Sequence, residues 1–212
     1  MSILITGIAG FIGYNFAEKY LRKYPKSKII GVDNLNNYYS RSLKLTRLKK
    51  LEKKIKFYKI NTSNKKDLER IFKKNKIIKV YNFAAQAGVR YSIKNPAKYQ
   101  ESNIDGFFNI LEFSRLYKVK ELIYASSSSV YGESKNFPLK ETQKSDPKNF
   151  YGLTKKINEQ MAENYSKNYK MSIIGLRFFT VYGEWGRPDM SIFKIIDCSF
   201  RKKIFYLNNF GN

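Results

Sequence analysis

Cysteine is nearly absent from this 212-residue sequence. The single residue, Cys198, excludes an internal disulfide, and so little cysteine fits a reducing compartment. No apolar run approaches the roughly 20 residues of a membrane-spanning helix. The N-terminus also lacks the basic segment and the cleavage site of a secretory signal peptide. These absences predict a cytoplasmic protein that does not bind a membrane.

Acidic residues are also scarce, with 17 Asp and Glu against 41 Lys and Arg, so the formal net charge is +24. A surplus of this size is typical of proteins that bind nucleic acid or a membrane surface. The lysines are, however, scattered over the whole chain, and Lys, Asn, Ile, Tyr and Phe, which all have A/T-rich codons, are abundant together. We therefore interpret the charge as compositional drift and predict no nucleic-acid partner.

Long linkers rich in Pro, Gly or Ser and internal repeats are missing, and short apolar runs alternate with helical patterns. This alternation predicts an α/β fold, a Rossmann-like, doubly wound parallel sheet with helices on both faces. The predicted strands are Ser2–Thr6, Lys28–Val32, Lys56–Ile60, Lys79–Phe83, Glu121–Ala125 and Ser172–Arg177. The predicted helices are Ile12–Tyr24, Ser42–Lys53, Lys65–Lys74, Ala97–Tyr117 and Tyr151–Tyr169.

Two segments have less regular patterns. The segment Arg41–Lys54 is a basic amphipathic helix, and its predicted apolar side consists of Leu43, Leu45, Leu48 and Leu51. We interpret it as an ordinary surface helix. At the end of the chain, Ile204–Leu207 predicts a further strand, and Asn208–Asn212 predicts a turn.

A glycine-rich loop directly follows the first strand, with the spacing GxxGxxG at Gly7, Gly10 and Gly13. The first glycine permits a tight turn, the second lets the backbone approach a pyrophosphate, and the third lets the helix pack against the strand. The N-terminus of the next helix supplies free N–H groups and a favourable dipole for an anion. The context between a strand and a helix indicates a dinucleotide site rather than a plain structural turn.

The second strand ends at Asp33, 20 residues after Gly13. A carboxylate at this place can accept hydrogen bonds from an adenosine ribose, and it repels a 2′-phosphate. Asp33 therefore favours NAD over NADP as the cofactor.

Tyr151 and Lys155 form a YxxxK motif at the start of a predicted helix. Residues i and i+4 share one helical face, so both side chains can point into one pocket. A free tyrosine titrates near a pKa of ~10. We expect the Lys155 cation and a nicotinamide ring to lower that pKa, so that Tyr151 can exchange a proton with a substrate hydroxyl.

The stretch ASSSSVYG begins at Ala125, where a predicted buried strand ends. Four serines in a row are typical of a flexible linker. At the end of a buried strand, however, they place hydroxyl groups at the mouth of a site.

Together these motifs resemble the extended short-chain dehydrogenase/reductase family of nucleotide-sugar enzymes, in which they occur in the same order. Four longer strings are similar to those of UDP-glucuronate 4-epimerases. They are DNLNNYYS (Asp33–Ser40), AAQAGVRYS (Ala84–Ser92), SSSSVYG (Ser126–Gly132) and LRFFTVYGEWGRPDM (Leu176–Met190). The resemblance extends from Met1 to Asn212.

The resemblance implies an NAD-dependent C4 epimerase with a 4-keto intermediate and three catalytic residues, Ser127, Tyr151 and Lys155. The implied cofactor contacts are Gly7, Gly10, Phe11, Ile12, Gly13, Asp33, Asn34, Asn36, Asn61, Thr62, Ala84, Ala85, Gln86, Asn103, Tyr151, Lys155 and Phe179. The implied substrate contacts are Arg90, Ser127, Ser128, Ser129, Thr180 and Arg187. Either arginine can meet the sugar carboxylate or the diphosphate. No metal is implied.

The residue at position 129 distinguishes the epimerases of this family from its dehydratases and decarboxylases. Sugar-nucleotide 4,6-dehydratases and UDP-glucuronate decarboxylases place a glutamate just before the VYG motif, where it serves as an acid or base. A serine cannot do that near neutral pH, so the resemblance favours an epimerase that converts UDP-glucuronate to UDP-galacturonate.

The chain also departs from the family. Asn61 stands where the family usually has an aspartate that accepts the adenine amino group, although an amide oxygen can still accept. Family members continue for roughly another hundred residues, a domain-scale segment. We therefore expect a C-terminally truncated chain, with an NAD-binding domain over residues 1–175 and the start of a smaller substrate domain over residues 176–212.

Other functions stay open at this stage. The same chemistry can act on UDP-glucose or another nucleotide sugar, including in an epimerase/dehydratase relative. A Rossmann-fold protein can also lose catalysis and bind RNA, or serve only as a partner subunit. The predicted helices Ala97–Tyr117 and Tyr151–Tyr169 match those that pair in family dimers, which predicts a homodimer.

Overall fold

The computed structural model describes residues 1–134 and 136–206. Within them, six strands form one parallel sheet in the order β3-β2-β1-β4-β5-β6. The strands are β1 (Ser2–Thr6), β2 (Lys28–Asp33), β3 (Ile55–Lys59), β4 (Ile77–Asn82), β5 (Glu121–Ser127) and β6 (Ile173–Phe178). Each begins and ends within two residues of its predicted position.

Within the same described residues, eight α-helices connect or follow these strands. They are α1 (Phe11–Lys23), α2 (Arg41–Leu51), α3 (Lys65–Lys74), α4 (Val89–Lys94), α5 (Pro96–Tyr99), α6 (Gly106–Leu116), α7 (Phe150–Tyr169) and α8 (Ser191–Phe200). The predicted helix Ala97–Tyr117 is divided, because a π-helical segment, Gln100–Asp105, separates α5 from α6. Short 3₁₀ turns lie at Glu52–Lys54 and Ser128–Tyr131. Sequence analysis did not predict α4 or α8.

Helices cover both faces of the sheet, as predicted. Side chains alternate along each strand, so Leu4 packs into one core together with α3 and α6 residues such as Leu68 and Ile110. Its neighbours Ile3 and Ile5 pack into the opposite core, with Tyr14 of α1. The doubly wound Rossmann-like fold is therefore confirmed.

The strand order reverses between β1 and β4, which are neighbours in the sheet although two strands separate them in sequence. In open α/β sheets the crevice at such a switch point, beyond the carboxyl ends of the strands, is where ligands bind. The loops after β1, β2, β4 and β5 meet there, so the topology itself brings the predicted motifs together.

One prediction was wrong and another was confirmed only in part. Residues 204–206 form no strand, because no neighbouring strand pairs with them; Leu207 and the predicted turn Asn208–Asn212 lie outside the described residues. On the predicted apolar side of α2, Leu51 is buried in the core and Leu48 packs against it, but Leu45 is 47% exposed. Two cations of this helix, Lys44 and Arg47, are buried instead. These cations turn inward because backbone and side-chain oxygens receive them there. Among the described residues, no helix combines the length and apolarity needed to cross a membrane.

Candidate active site

A cavity of about 440 Å³ opens at the switch point. Residues from the loops after all six strands line it, and so do Tyr151 and Lys155 on α7. The cavity therefore joins the glycine loop at one end to the YxxxK pair at the other.

Close packing explains the glycines of the loop. Gly7 has φ +66°, and a Cβ on it would lie 2.7 Å from the backbone nitrogen of Ala84. A Cβ on Gly13 would lie 2.2 Å from the carbonyl oxygen of Gly7. No side chain caps the first turn of α1, which begins at Phe11 after Gly10. The free N–H groups of this turn and the helix dipole suit an anion such as a pyrophosphate.

Asp33 lies at the end of β2 and lines the cavity. Its Oδ1 accepts a hydrogen bond from the backbone N–H of Leu35 (2.8 Å), and its Oδ2 accepts one from Ala9 (3.1 Å). Burial raises the pKa of this carboxyl, while those two N–H groups and the cation of Lys44 oppose the rise. Each oxygen keeps a lone pair for a ribose hydroxyl.

Most of the other predicted cofactor contacts also line the cavity. They are Phe11, Ile12, Asn34, Asn36, Asn61, Thr62, Ala84, Ala85, Gln86 and Phe179. Asn61 is held on both sides, because its Nδ2 donates to Glu101 (2.7 Å) and its Oδ1 accepts from the N–H of Ser63 (3.3 Å).

Asn103 lies behind the cavity rather than on its wall. Its side chain bonds to the backbone of Gln86 at 2.8 and 3.1 Å and to the hydroxyl of Thr154 at 3.0 Å. Asn158 donates to the backbone oxygen of Asn103 at 2.6 Å. Asn103 therefore joins the loop after β4 to α7. It was expected to contact the cofactor, but it does not line the cavity.

Lys155 is 3% exposed, and its Nζ donates to the backbone oxygen of Ala125 at 2.8 Å. Burial lowers the pKa of this amine to about 8. The ammonium still has two hydrogens that the Ala125 oxygen does not use. Lys155 can therefore donate to a hydroxyl group inside the cavity.

Tyr151 follows Asn149, whose side chain caps α7 by accepting from the N–H of Gly152 at 2.8 Å. Burial raises the pKa of the Tyr151 phenol, whereas the Ser127 hydroxyl and the Arg187 cation act to lower it. Lys155 does not contribute to this pKa, so the part of the expected fall assigned to Lys155 is wrong, whereas the effect of a nicotinamide ring stays a prediction. A cation placed against the phenol would lower the pKa of Tyr151.

The four serines do not form a linker. Ser126 and Ser127 end β5, and Ser128 and Ser129 begin the 3₁₀ turn. Ser127 Oγ accepts from the N–H of Ser129 at 3.2 Å, and all four serines line the cavity. The Ser126 hydroxyl donates to Glu159 at 2.6 Å. No carboxylate lies at position 129.

Arg187 and Thr180 line the cavity, but Arg90 does not. Both Arg187 Nε (3.0 Å) and a terminal nitrogen (2.5 Å) donate to Asp189, and the guanidinium lies 5.4 Å from the ring of Tyr38. Arg90 is exposed at the start of α4, because this helix turns its side chain toward solvent. The structure thus brings Arg187, but not Arg90, to the predicted substrate position.

Tyr38, Tyr39, Lys44 and Asp189 are among the cavity residues that were not predicted. All but Lys44 lie within strings that resemble the family, but no role was assigned to them. Lys44 Nζ donates to the backbone oxygen and the Oδ1 of Asn36, at 2.8 and 2.7 Å.

Among the described residues, no group of three or more His, Cys, Asp or Glu side chains could hold a metal ion. The polar groups that line the cavity are instead hydroxyls, amides, the three cations Lys44, Lys155 and Arg187, the two carboxylates Asp33 and Asp189, and free N–H groups. This donor set fits a phosphorylated nucleotide cofactor with ribose hydroxyls.

Comparisons with known proteins agree with this geometry. Protein CapI of Staphylococcus aureus is 49% identical over 214 residues, which cover 100% of this chain and 64% of that protein. A UDP-glucuronate 4-epimerase of Thermodesulfobacterium geofontis is 45% identical over 94% of this chain and 62% of its own length. The chain therefore spans less than two thirds of the length of these relatives.

Among solved structures, a UDP-glucuronic acid 4-epimerase from Bacillus cereus, in complex with UDP-glucuronic acid and NAD, superimposes with a TM-score of 0.88. It is 34% identical, and the match covers 96% of this chain and 64% of that one. The family model described as GDP-mannose 4,6 dehydratase matches residues 4–205, nearly the whole sequence. The chain belongs to this family.

Proposed function

We propose that this protein is an NAD-dependent nucleotide-sugar 4-epimerase that converts UDP-glucuronate to UDP-galacturonate. One observation carries the proposal. Ser127, Tyr151 and Lys155 meet in the cavity that begins at the glycine loop, and a serine rather than a carboxylate lies at position 129. The set can remove and return a proton on a hydroxyl, but it offers no acid or base at position 129 for elimination or decarboxylation.

The residues present fit NAD. The glycine loop and the uncapped first turn of α1 would receive the pyrophosphate, and the remaining lone pairs of Asp33 would accept from the adenosine ribose. The same carboxylate would repel a 2′-phosphate. Lys155 would donate to the second ribose, beside the catalytic tyrosine. When bound, the oxidised nicotinamide accepts a hydride from a substrate carbon and later returns it.

The protein's own residues then handle the proton. Tyr151 removes the proton of the C4 hydroxyl as C4 loses its hydride, and a 4-keto sugar results. Ser127, whose hydroxyl acts on the phenol of Tyr151, would donate to the C4 oxygen and keep it near that phenol. After the keto sugar has turned over, Tyr151 returns the proton as the hydride adds to the other face. No atom is gained or lost, so neither water nor another reactant is consumed.

Ser128, Ser129, Thr180 and Arg187 support a substrate with a carboxylate, because they supply three hydroxyl groups and one cation to the same part of the cavity. The relatives that act on UDP-glucuronate support the same choice. UDP-glucose is the second candidate, since oxidation and reduction at C4 need no carboxylate. A chain that only binds a nucleotide or a partner subunit is the third candidate. The presence of Ser127, Tyr151 and Lys155 together argues against it.

Three further statements remain proposals. The protein acts as a homodimer through α6 and α7, it works in the cytoplasm, and residues 176–212 begin the substrate domain. The surface of these helices supports the first, because Phe108 and Leu116 on α6 and Leu153 on α7 are large apolar side chains that are exposed.

The test uses the protein expressed with any sequence that follows residue 212 in its gene. Bound nucleotide is released by denaturation and identified, and the purified protein is then incubated separately with UDP-glucuronate and UDP-glucose. We expect bound NAD and conversion of UDP-glucuronate to its C4 epimer. Conversion of UDP-glucose alone would overturn the substrate choice. Salt-sensitive RNA binding without NAD would instead favour the non-catalytic alternative.

A further inference from the structure

Arg47 is fully buried, with 0% of its surface exposed, although its helix α2 lies on the outside of the fold. One terminal nitrogen donates to the backbone oxygen of Ala9 (3.0 Å) and to the hydroxyl of Tyr39 (2.7 Å). The other donates to the backbone oxygens of Trp185 (2.5 Å) and Gly186 (3.3 Å). A buried guanidinium is costly unless its donors are used, and here both terminal nitrogens are.

These acceptors belong to two separate parts of the site. Ala9 lies inside the glycine loop, and its N–H donates to the ribose-facing carboxylate of Asp33. Trp185 and Gly186 belong to residues 184–187, which we call the strap. They lie 138 and 139 residues from Arg47 in sequence. Arg47 thus links the glycine loop to the strap directly by hydrogen bonds.

The strap packs on the outer helices through contacts that leave the backbone carbonyls of Trp185 and Gly186 to Arg47. The Trp185 ring lies edge-to-face with Tyr14 of α1, at 5.8 Å between centroids, and Lys50 Nζ lies 4.9 Å from it. Asn15 donates to the backbone oxygen of Glu184 at 3.2 Å. The next residue of the strap after Gly186 is Arg187, which reaches into the cavity and acts on the pKa of Tyr151.

We propose that Arg47 is a positioning residue, which fixes the strap to the glycine loop and thereby sets where Arg187 stands relative to Tyr151 and the cofactor. An apolar side chain at position 47 would fill space but would leave the oxygens of Ala9, Trp185 and Gly186 without their donor. The effect on catalysis rests on the proposed function, whereas the effect on the strap does not.

Trp185 allows a direct test, because it is the single tryptophan of the sequence and lies in the strap itself. In Arg47→Met we expect its emission to shift to longer wavelength and its acrylamide quenching to rise about twofold. Lys49→Met is the matched control, since Lys49 is an exposed cation on the same helix, and it should leave both readouts unchanged. Unchanged Trp185 emission and quenching in Arg47→Met would overturn the proposal.

Arg47→Lys covers the case in which Arg47→Met does not fold, as judged by circular dichroism and thermal unfolding. Arg47→Lys keeps the charge, but one ammonium cannot reach both Ala9 and Trp185. We therefore expect the acrylamide quenching of Trp185 to lie between that of the wild type and that of the unfolded protein. Quenching equal to that of the wild type would mean that the charge alone matters, and it would reject the role of these hydrogen bonds.

A kinetic cycle tests the link to Arg187. Arg47→Met and Arg187→Met should each raise the KM for UDP-glucuronate about tenfold, and the double variant should match the larger single effect, because both act through one group. Additive effects would reject this link. If the protein does not convert UDP-glucuronate at all, the proposed function fails, while the Trp185 result still decides the role of Arg47.

Discussion

Lys155 of α7 donates a 2.8 Å hydrogen bond to the backbone oxygen of Ala125, the residue that directly precedes the row of serines in β5. The bond fixes the lysine against the strand that carries Ser127. Two motifs that lie about 30 residues apart in sequence therefore share one wall of the cavity, and the ammonium pays a desolvation cost that lowers its pKa to about 8.

That cost predicts a pH-dependent stability. The ordinary pKa of this amine is 10.5, so unfolding takes up a proton between about pH 8 and 10.5, and the stability contributed by Lys155 rises with pH over that window. Relative to Lys155→Met, the free energy of unfolding of the wild type should rise by about 2 to 3 kcal/mol between pH 7 and pH 10.

Urea unfolding of the ligand-free protein at several pH values measures this difference. Lys49→Met is the control, because water solvates the exposed Lys49 in both the folded and the unfolded chain. Parallel pH curves for the wild type and Lys155→Met would contradict the burial of a charged lysine.

The glycine loop gives a steric prediction. In Gly13→Ala the new Cβ would meet the carbonyl oxygen of Gly7 at 2.2 Å, so the loop and α1 must move apart. We expect the free energy of unfolding to fall by about 1 to 3 kcal/mol and NAD affinity to fall by about tenfold or more. Calorimetry measures both, and Lys19→Ala on the exposed face of α1 should change neither.

The ion pair between Arg177 and Glu159, next to Ser126, predicts an effect on the free energy of unfolding. Arg177 donates to both oxygens of Glu159 at 2.9 Å, and Glu159 also accepts from Ser126. In Glu159→Gln the partly buried guanidinium loses its counter-charge, and we expect a loss of about 2 kcal/mol. The exposed pair of Glu163 and Lys167 on the same helix is the control, since Glu163→Gln should cost less than about 0.5 kcal/mol. Equal effects in urea unfolding would show that Glu159 has no special role.

The substrate choice predicts a selective defect. If Arg187 faces the sugar carboxylate, Arg187→Met should raise the KM for UDP-glucuronate about tenfold, and it should change that for UDP-glucose much less. Steady-state kinetics with both substrates measures the ratio. An equal rise for both would place Arg187 on the diphosphate that the two substrates share.

The sequence predicted the sheet and the lining of the cavity well, and for a clear reason. Apolar strands followed by Gly7 or Asp33 are local patterns, and a parallel sheet gathers the carboxyl ends of its strands at one edge. Nothing more than element order was needed to bring Ser127 and Tyr151 together.

The sequence-based predictions fail where contacts between residues distant in sequence determine the position of a side chain. Arg47 is buried because the carbonyl oxygens of residues 185 and 186 receive it, and no local pattern reports that. Asn103 turns toward Thr154 and Gln86 because of the π-helical segment, and Arg90 faces solvent because an unpredicted helix begins at Val89.

The most direct test of the account follows the hydrogen on C4. UDP-glucuronate is converted in D₂O, and the product is analysed by proton NMR and mass spectrometry. Because the hydride leaves and returns within the site while Tyr151 handles only the hydroxyl proton, we predict UDP-galacturonate without deuterium on carbon, and no product from Tyr151→Phe. Deuterium at C4 or C5, or unchanged turnover in Tyr151→Phe, would contradict the account.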